Sequence, residues 1–240
     1  MRLFIVEPGA VTGDTVTIQG PDARHICAVL RMAPGDIITV STGEGPKLSC
    51  EISRIERDLV EAQVIGESHS KASTAPSITL AQALPKGRKM DDIIRMNCEL
   101  GVEKIIPVIT ERCVARPDEA GMKQKVERWR AIAKAAAQQC RAHKPAMVAD
   151  VSTIDEIPLA DISITLWEEE TASLKSALAD SGEGRSLILV VGPEGGLSAD
   201  EARRLTARGF VTASLGGTVL RTETAGLCAV SAALYHFSKA

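Results

Sequence analysis

Aromatic side chains are scarce, with three Phe, two Trp and one Tyr making up 2% of the 240 residues, so whatever core the chain builds is aliphatic. Paired cysteines are missing as well. Cys27, Cys50, Cys98, Cys113, Cys140 and Cys228 never fall in a CxxC spacing and the four histidines are scattered, a pattern that excludes a zinc framework or a disulfide scaffold and is that of free thiols in a reducing compartment. No metal is expected. No apolar run reaches the roughly 20 residues of a membrane span; the longest, Ala225 to Phe237, falls short, and the opening MRLFIVEPG is too weakly apolar for a signal peptide. A cytoplasmic protein without a membrane segment is the expectation.

What is present begins with an ordinary globular balance, 45% hydrophobic and 25% charged residues, long enough for one large or two smaller domains. The formal net charge is −3, from 28 Lys and Arg against 31 Asp and Glu, which by itself argues against a nucleic-acid partner. The charge is unevenly spread. Residues 1–71 carry −3, residues 72–150 carry +5 and residues 151–240 carry −5, so the middle third has the sign a phosphate-facing surface needs. Solvated helix faces give the same count.

Periodicity divides the chain. Residues 1–66 read as short strands (Leu3 to Val6, Thr15 to Gln19, Asp36 to Thr42, Leu48 to Ile55, Val60 to Ile65) between PG, GD and GEG turns, with one helical stretch at Asp22 to Met32. That spacing predicts a small barrel. The polar run Glu67 to Pro76 has linker composition, and after it strands alternate with helices: strands near Ile78, Lys104, Ile162, Leu187 and Val211, helices from Met90, Met122, Thr171, Ser198 and Glu223. Alternation predicts a parallel sheet with helices on both faces, whose ligands sit at the carboxyl ends of its strands.

Two glycine-bearing loops occupy such ends. Gly192-Pro193-Glu194-Gly195-Gly196 follows the strand LILVV and leads to Ser198 and Glu201, spaced as a helix capping box. Ser214 to Ala225, SLGGTVLRTETA, places Arg221 and Glu223 before an apolar helix. Neither has the GxGxxG spacing of a dinucleotide site nor the lysine of a P-loop. Each alone is a strand-to-helix turn; the pair at this separation is diagnostic.

With these loops the chain resembles the SPOUT superfamily of knotted methyltransferases and, almost end to end, its 16S ribosomal RNA uracil-N3 methyltransferase (RsmE) family. The resemblance rests on Arg24-His25-Ile26-Cys27-Ala28-Val29-Leu30-Arg31 with Gly35-Asp36, on Lys86-Gly87-Arg88-Lys89-Met90, on Glu99-Leu100-Gly101-Val102, on Gln138, Arg141 and Pro145, and on GPEGG with LRTETA. Arg95-Met96-Asn97 and the Gly217-Thr218-Val219 segment depart from the family pattern. The resemblance implies an α/β chain: an N-terminal PUA-like small β-barrel, residues 1–71, as RNA-binding domain, then a SPOUT α/β domain, residues 72–240, with a deep C-terminal trefoil knot. Patterning alone would draw an unknotted sheet.

The resemblance further implies a homodimer that binds S-adenosylmethionine through Leu166, Gly192, Pro193, Glu194, Gly195, Gly196, Leu215, Gly216, Val219, Leu220 and Thr224. The implied reaction is methylation of N3 of one uridine of 16S rRNA, m3U1498 in the family, in the assembled small ribosomal subunit. Uracil N3 carries a proton at neutral pH, so the reaction needs that proton removed and the ring's negative charge stabilised. Arginine is always charged, which casts Arg221 as stabiliser, with Glu223 orienting it or water and Arg112 as a third catalytic candidate. Which group takes the proton stays open at this point. Arg24, Arg31, Lys86, Arg88, Lys89, Arg141 and Lys144 are the candidate RNA contacts. Two other functions compete: a SPOUT ribose 2′-O-methyltransferase acting on tRNA or rRNA, and a non-catalytic RNA-binding or assembly factor.

Overall fold

The computed structural model describes residues 2–69, 75–114, 118–182 and 184–238, with nothing described of the Glu119 side chain. Residues 70–74 of the polar stretch, and with them the expected boundary between 71 and 72, lie outside the described residues, as does Lys239 at the expected end of the last helix. Two compact units emerge, one of residues 1–72 with 137–145, the other of 73–136 with 146–240. The segment 137–145, read from sequence as the end of a helix in the second domain, thus groups with the first.

In the first unit the strands are β1 (Leu3–Ile5), β2 (Val11–Thr12), β3 (Thr15–Gln19), β4 (Ile37–Ser41), β5 (Lys47–Glu56) and β6 (Leu59–Ser68). They hydrogen-bond in the order β1-β4-β5-β6-β3-β2, antiparallel except for β1 beside β4. The ladder is open at β1 and β2 among the described residues, where the sequence pattern led us to expect a barrel; strands of three and two residues offer too few donors to close it. Alternate residues from one face of the strands make the core, among them Phe4, Val16, Ile18, Ile38, Val40, Ile52 and Val60, as a period of two dictates. Ala23 and Ile26 cap it from α1 (Gly20–Arg24) and the wider π-type turn His25–Val29 that continues it. The expected helix over Asp22 to Met32 is present but shifted, running from Gly20 to Val29 with its second half π-helical.

The second unit has β7 (Ser77–Ala83), β8 (Lys104–Ile109), β9 (Met147–Val148), β10 (Ser152–Thr153), β11 (Ile162–Leu166), β12 (Ser186–Val191) and β13 (Val211–Ala213). All pair in parallel, in the order β10-β8-β7-β12-β11-β13, with β9 beside β8. The helices are α2 (Lys89–Glu99), α3 (Glu119–Cys140), α4 (Leu174–Asp180), α5 (Ala199–Ala207) and α6 (Thr222–Phe237). A parallel sheet is covered on both faces, which is why its strands read as continuous apolar runs. In β12, Leu187, Leu189 and Val191 join the core under α2, α3 and α6, whereas Ile188 and Val190 join the opposite one with Leu205 of α5, Ile157 and Phe210. Trp129 is 4% exposed in that first core, as its helical spacing predicted. No helix of the described residues is long and apolar enough to cross a membrane.

Candidate active site

The carboxyl ends of β11, β12 and β13 open onto a cavity of about 570 Å³, within the range of small-molecule sites. The loop after β12 is one wall. A Cβ on Gly192 would stand 2.9 Å from the Gly196 carbonyl carbon and 3.0 Å from the Leu197 nitrogen, both backbone, so the loop folds too tightly on itself for any side chain there. Gly196 has φ +69°, and a Cβ on it would run into the Glu168 carboxylate. The loop then enters α5 through the capping box read from sequence: the Glu201 N–H donates to Ser198 Oγ at 3.2 Å and the Ser198 N–H donates to Glu201 Oε2 at 2.9 Å. Glu201, 1% exposed, also accepts the Glu111 N–H on Oε1 at 2.7 Å.

The other wall is the segment from Ser214 to Arg221, which runs from β13 into α6. It turns at Gly216, φ +121°, and Arg221 caps α6 in an extended conformation. Thr222, next in line, ties the two loops to the sheet: its Oγ1 donates to the Gly192 carbonyl at 2.6 Å and accepts from buried Gln82 Nε2 at 2.8 Å.

Leu166, Gly192, Pro193, Glu194, Gly196, Leu215, Gly216, Val219 and Leu220 all line the cavity, as does Arg221. Gly195 and Thr224 do not. Gly195 instead offers its carbonyl to Arg112, whose Nη1 donates at 2.7 Å; Arg112 thus braces the loop from outside the cavity lining. Thr224 lies in the first turn of α6, its N–H on the Arg221 carbonyl.

The charges are partitioned. Lys89, which the sequence reading placed among the phosphate contacts, lines the cavity and holds two carboxylates, Glu194 Oε1 at 3.0 Å and Glu223 Oε2 at 3.3 Å. Its pKa is raised, chiefly by the hydrogen bond to Glu194. Burial pushes Glu194 up, but the Lys89 ammonium, backbone donors including the Lys86 N–H, and Coulombic attraction outweigh it, and the carboxyl ends below its usual value. Two charges on the cavity lining stand without a protein partner among the described residues: the Arg221 guanidinium and the Glu168 carboxylate. Trp167, Glu168, Gln82 and Thr222 were not singled out as site residues from the sequence, and Glu201 was read there only as half of a capping box.

The remaining RNA candidates divide between the units. In the second, Lys86 and Arg88 are exposed and without side-chain partners among the described residues. In the first, Arg24 pairs with Asp58 at 2.9 Å, Lys144 is exposed, and Arg31 and Arg141 are the non-glycine residues with positive φ, 52° and 59°, among the described residues. Left-handed backbone is uncommon for arginine; at Arg141 the Lys47 ammonium steadies it by donating to the carbonyl at 2.7 Å.

An RNA methyltransferase domain family matches residues 73–234 and an RNA methyltransferase PUA domain family matches residues 18–65. The Ribosomal RNA small subunit methyltransferase E of Bacillus subtilis is 35% identical over 231 residues, 92% of this chain and 90% of that one. The protein of the same name from Mycobacterium tuberculosis is 33% identical over 238 residues, 96% of this chain and 90% of that one. Among solved structures, a Ribosomal RNA small subunit methyltransferase E from Neisseria gonorrhoeae bound to S-adenosyl methionine superposes with a TM-score of 0.87 at 28% identity, covering 98% of this chain and 97% of that one. A putative methyltransferase from Legionella pneumophila, in complex with the same cofactor, also gives 0.87, at 27% identity and covering 98% and 96%.

Proposed function

The chain belongs to the ribosomal RNA small subunit methyltransferase E family of RNA methyltransferases, and from that premise we propose that it transfers a methyl group from S-adenosylmethionine to N3 of one uridine of 16S ribosomal RNA in the assembled small subunit. The observation that carries the reading is a glycine-bearing cavity whose lining holds one anion, Glu168, and one cation, Arg221, without partners among the described residues. A cationic donor and a substrate that becomes anionic call for that pair of charges.

The residues present fit the cofactor. Gly192 lets the loop fold tightly on itself and Gly196 lets it pass against the Glu168 carboxylate, which keeps side chains off this cavity wall; Leu166, Leu215 and Leu220 supply apolar wall, and the Glu168 carboxylate offers a counter-charge to a sulfonium. When bound, the cofactor supplies a methyl group already activated for displacement. The protein's own part is to bind and orient it between the two loops, to bring uracil N3 to the open side, and to offset the charge on the ring through Arg221. Thr222 keeps both loops in register while this happens.

Three finer statements belong to the same proposal. The loops of residues 192–197 and 214–221 are threaded as a trefoil knot, a reading supported by Thr222 reaching both the Gly192 carbonyl and Gln82 of β7. The active unit is a homodimer, supported by α6, which leaves Cys228 and the 87%-exposed Tyr235 outward; light scattering at micromolar protein should give twice the 25.5 kDa chain mass. The reaction takes place in the cytoplasm, where small subunits are assembled, with Lys86, Arg88, Arg31, Arg141 and Lys144 on phosphates. The deciding experiment is methyl transfer to unmodified small subunits with the product nucleoside identified by mass spectrometry. N3-methyluridine is the expected product; a 2′-O-methyl nucleoside, or binding without turnover, refutes the reading.

A further inference from the structure

Three charged groups from three separate segments meet beside the cavity: Lys89 at the start of α2, Glu194 in the loop after β12 and Glu223 in the first turn of α6. A lysine in the first turn of a helix opposes the helix dipole, so its partners, not its helix, account for where its charge sits. Glu223 is asymmetric. Its Oε2 is enclosed, with the Lys89 ammonium beside it at 3.3 Å, while Oε1 is not enclosed and has no partner among the described residues. One carboxylate oxygen is held by a cation and the other stands open, one residue from the cavity wall at Thr222 and two from the unpaired Arg221.

Resting on the methyl-transfer reading above, we propose that Glu223 is the general base for uridine N3 and that Lys89 is its positioning residue, not an RNA contact. The open oxygen of Glu223 takes the N3 proton and becomes a neutral carboxylic acid. The electron pair left on N3 forms the bond to the methyl carbon while the carbon–sulfur bond breaks towards sulfur, leaving a thioether. The proton then leaves Glu223 for solvent. Lys89 fixes Glu223 in direction before this step, and through Glu194 it couples that direction to the cofactor loop. Without its charge, two carboxylates that share one nitrogen within 3.3 Å face each other with no cation between them.

The test is a double-mutant cycle on the full chain with unmodified small subunits. Glu223→Gln should lower single-turnover kcat about 100-fold, as loss of a positioned base does, and Lys89→Met about tenfold or more. The double variant should be no slower than Glu223→Gln alone, within about threefold, because one residue acts through the other. Lys89→Arg should recover most of the rate, and Lys89→Met should leave subunit affinity and its salt dependence unchanged. Losses that multiply in the double variant, an unchanged rate for Glu223→Gln, or a Lys89→Met variant with normal kcat and a salt slope lower by about one unit would each overturn the proposal. Wild-type product identity is read in the same assay, so a wild type that makes no N3-methyluridine condemns the functional reading, whereas a wild type that makes it alongside a failed cycle condemns only this assignment.

Discussion

Glu201→Gln isolates one joint of the loop after β12. Both Glu201 oxygens are committed in a site only 1% exposed, Oε1 to the Glu111 N–H at 2.7 Å and Oε2 to the Ser198 N–H at 2.9 Å. Glutamine has the same shape but one acceptor oxygen, so its amide NH₂ must face a main-chain N–H, donor against donor. A charge-assisted hydrogen bond contributes about 1.5–3 kcal/mol, and a buried donor left unmet adds its desolvation cost. We expect Glu201→Gln to lose about 2–3 kcal/mol, and Glu201→Ala, which abandons both donors, about 4 kcal/mol. At roughly 2–4 °C per kcal/mol for a chain of this size, the Gln variant should melt roughly 4–12 °C below the wild type. Since Glu111 precedes Arg112, whose guanidinium holds the Gly195 carbonyl, calorimetry should also show weaker cofactor binding. If both variants melt within about 1 °C of wild type and bind the cofactor equally well, Glu201 does not hold this loop and the reasoning fails.

Arg221→Ala removes the unpaired cation on the cavity wall, and single-turnover transfer on saturating small subunits should slow on the order of 100-fold with a much smaller loss of subunit affinity; an unchanged rate would reduce Arg221 to a helix cap. Lys86→Ala with Arg88→Ala should weaken subunit binding and lower its salt slope by about one unit per lost phosphate contact, leaving cofactor affinity intact, and a slope that does not move would take both residues off the RNA. Acid should destabilise the chain through carboxyls held below the usual range, Asp161 and Glu170 among them. Asp161 is kept low by the Arg185 N–H and by the Ser186 hydroxyl and N–H, and Glu170 by the Thr212 hydroxyl and the Ala172 and Thr171 N–H groups. A depressed folded pKa contributes fully above the ordinary carboxylate range of about 4 and is lost as pH falls through the depressed values. Melting temperature measured from pH 7 to 2.5 should therefore drop at the acid end, and Asp161→Asn should flatten that limb; parallel curves for the two proteins would dismiss the effect.

Much of the second unit was legible because its signals are short-range. SLILVV is a strand buried on both faces, Ser198 and Glu201 form the box their spacing announces, and α3 buries Val126, Trp129 and Ala133 at helical intervals. The short strands β2, β9 and β10 were not foreseen, since two-residue pairings have no period of their own. The Asp22 to Met32 stretch carried a helical face and is helical through Val29, but its turn widens from α to π at His25, which nothing in the sequence announced.

Local patterning thus settled the strand-helix alternation and placed the two glycine loops at strand ends, both of which depend on neighbours a few residues away. The sorting of like residues was left to tertiary structure. Lys86, Arg88 and Lys89 are three basic residues of one loop with nothing in the sequence to separate them; Glu194 and Glu223, distant in the chain, draw Lys89 inward and leave the other two in solvent. Arg112 and Arg221 both looked catalytic, but only Arg221 lines the cavity, because the Gly195 carbonyl claims the other. A charge takes its role from what stands within a few ångströms of it, since Coulomb and hydrogen-bond energies fall off over that distance, and those neighbours are assembled only when β7, β12 and β11 pair and α6 packs across them.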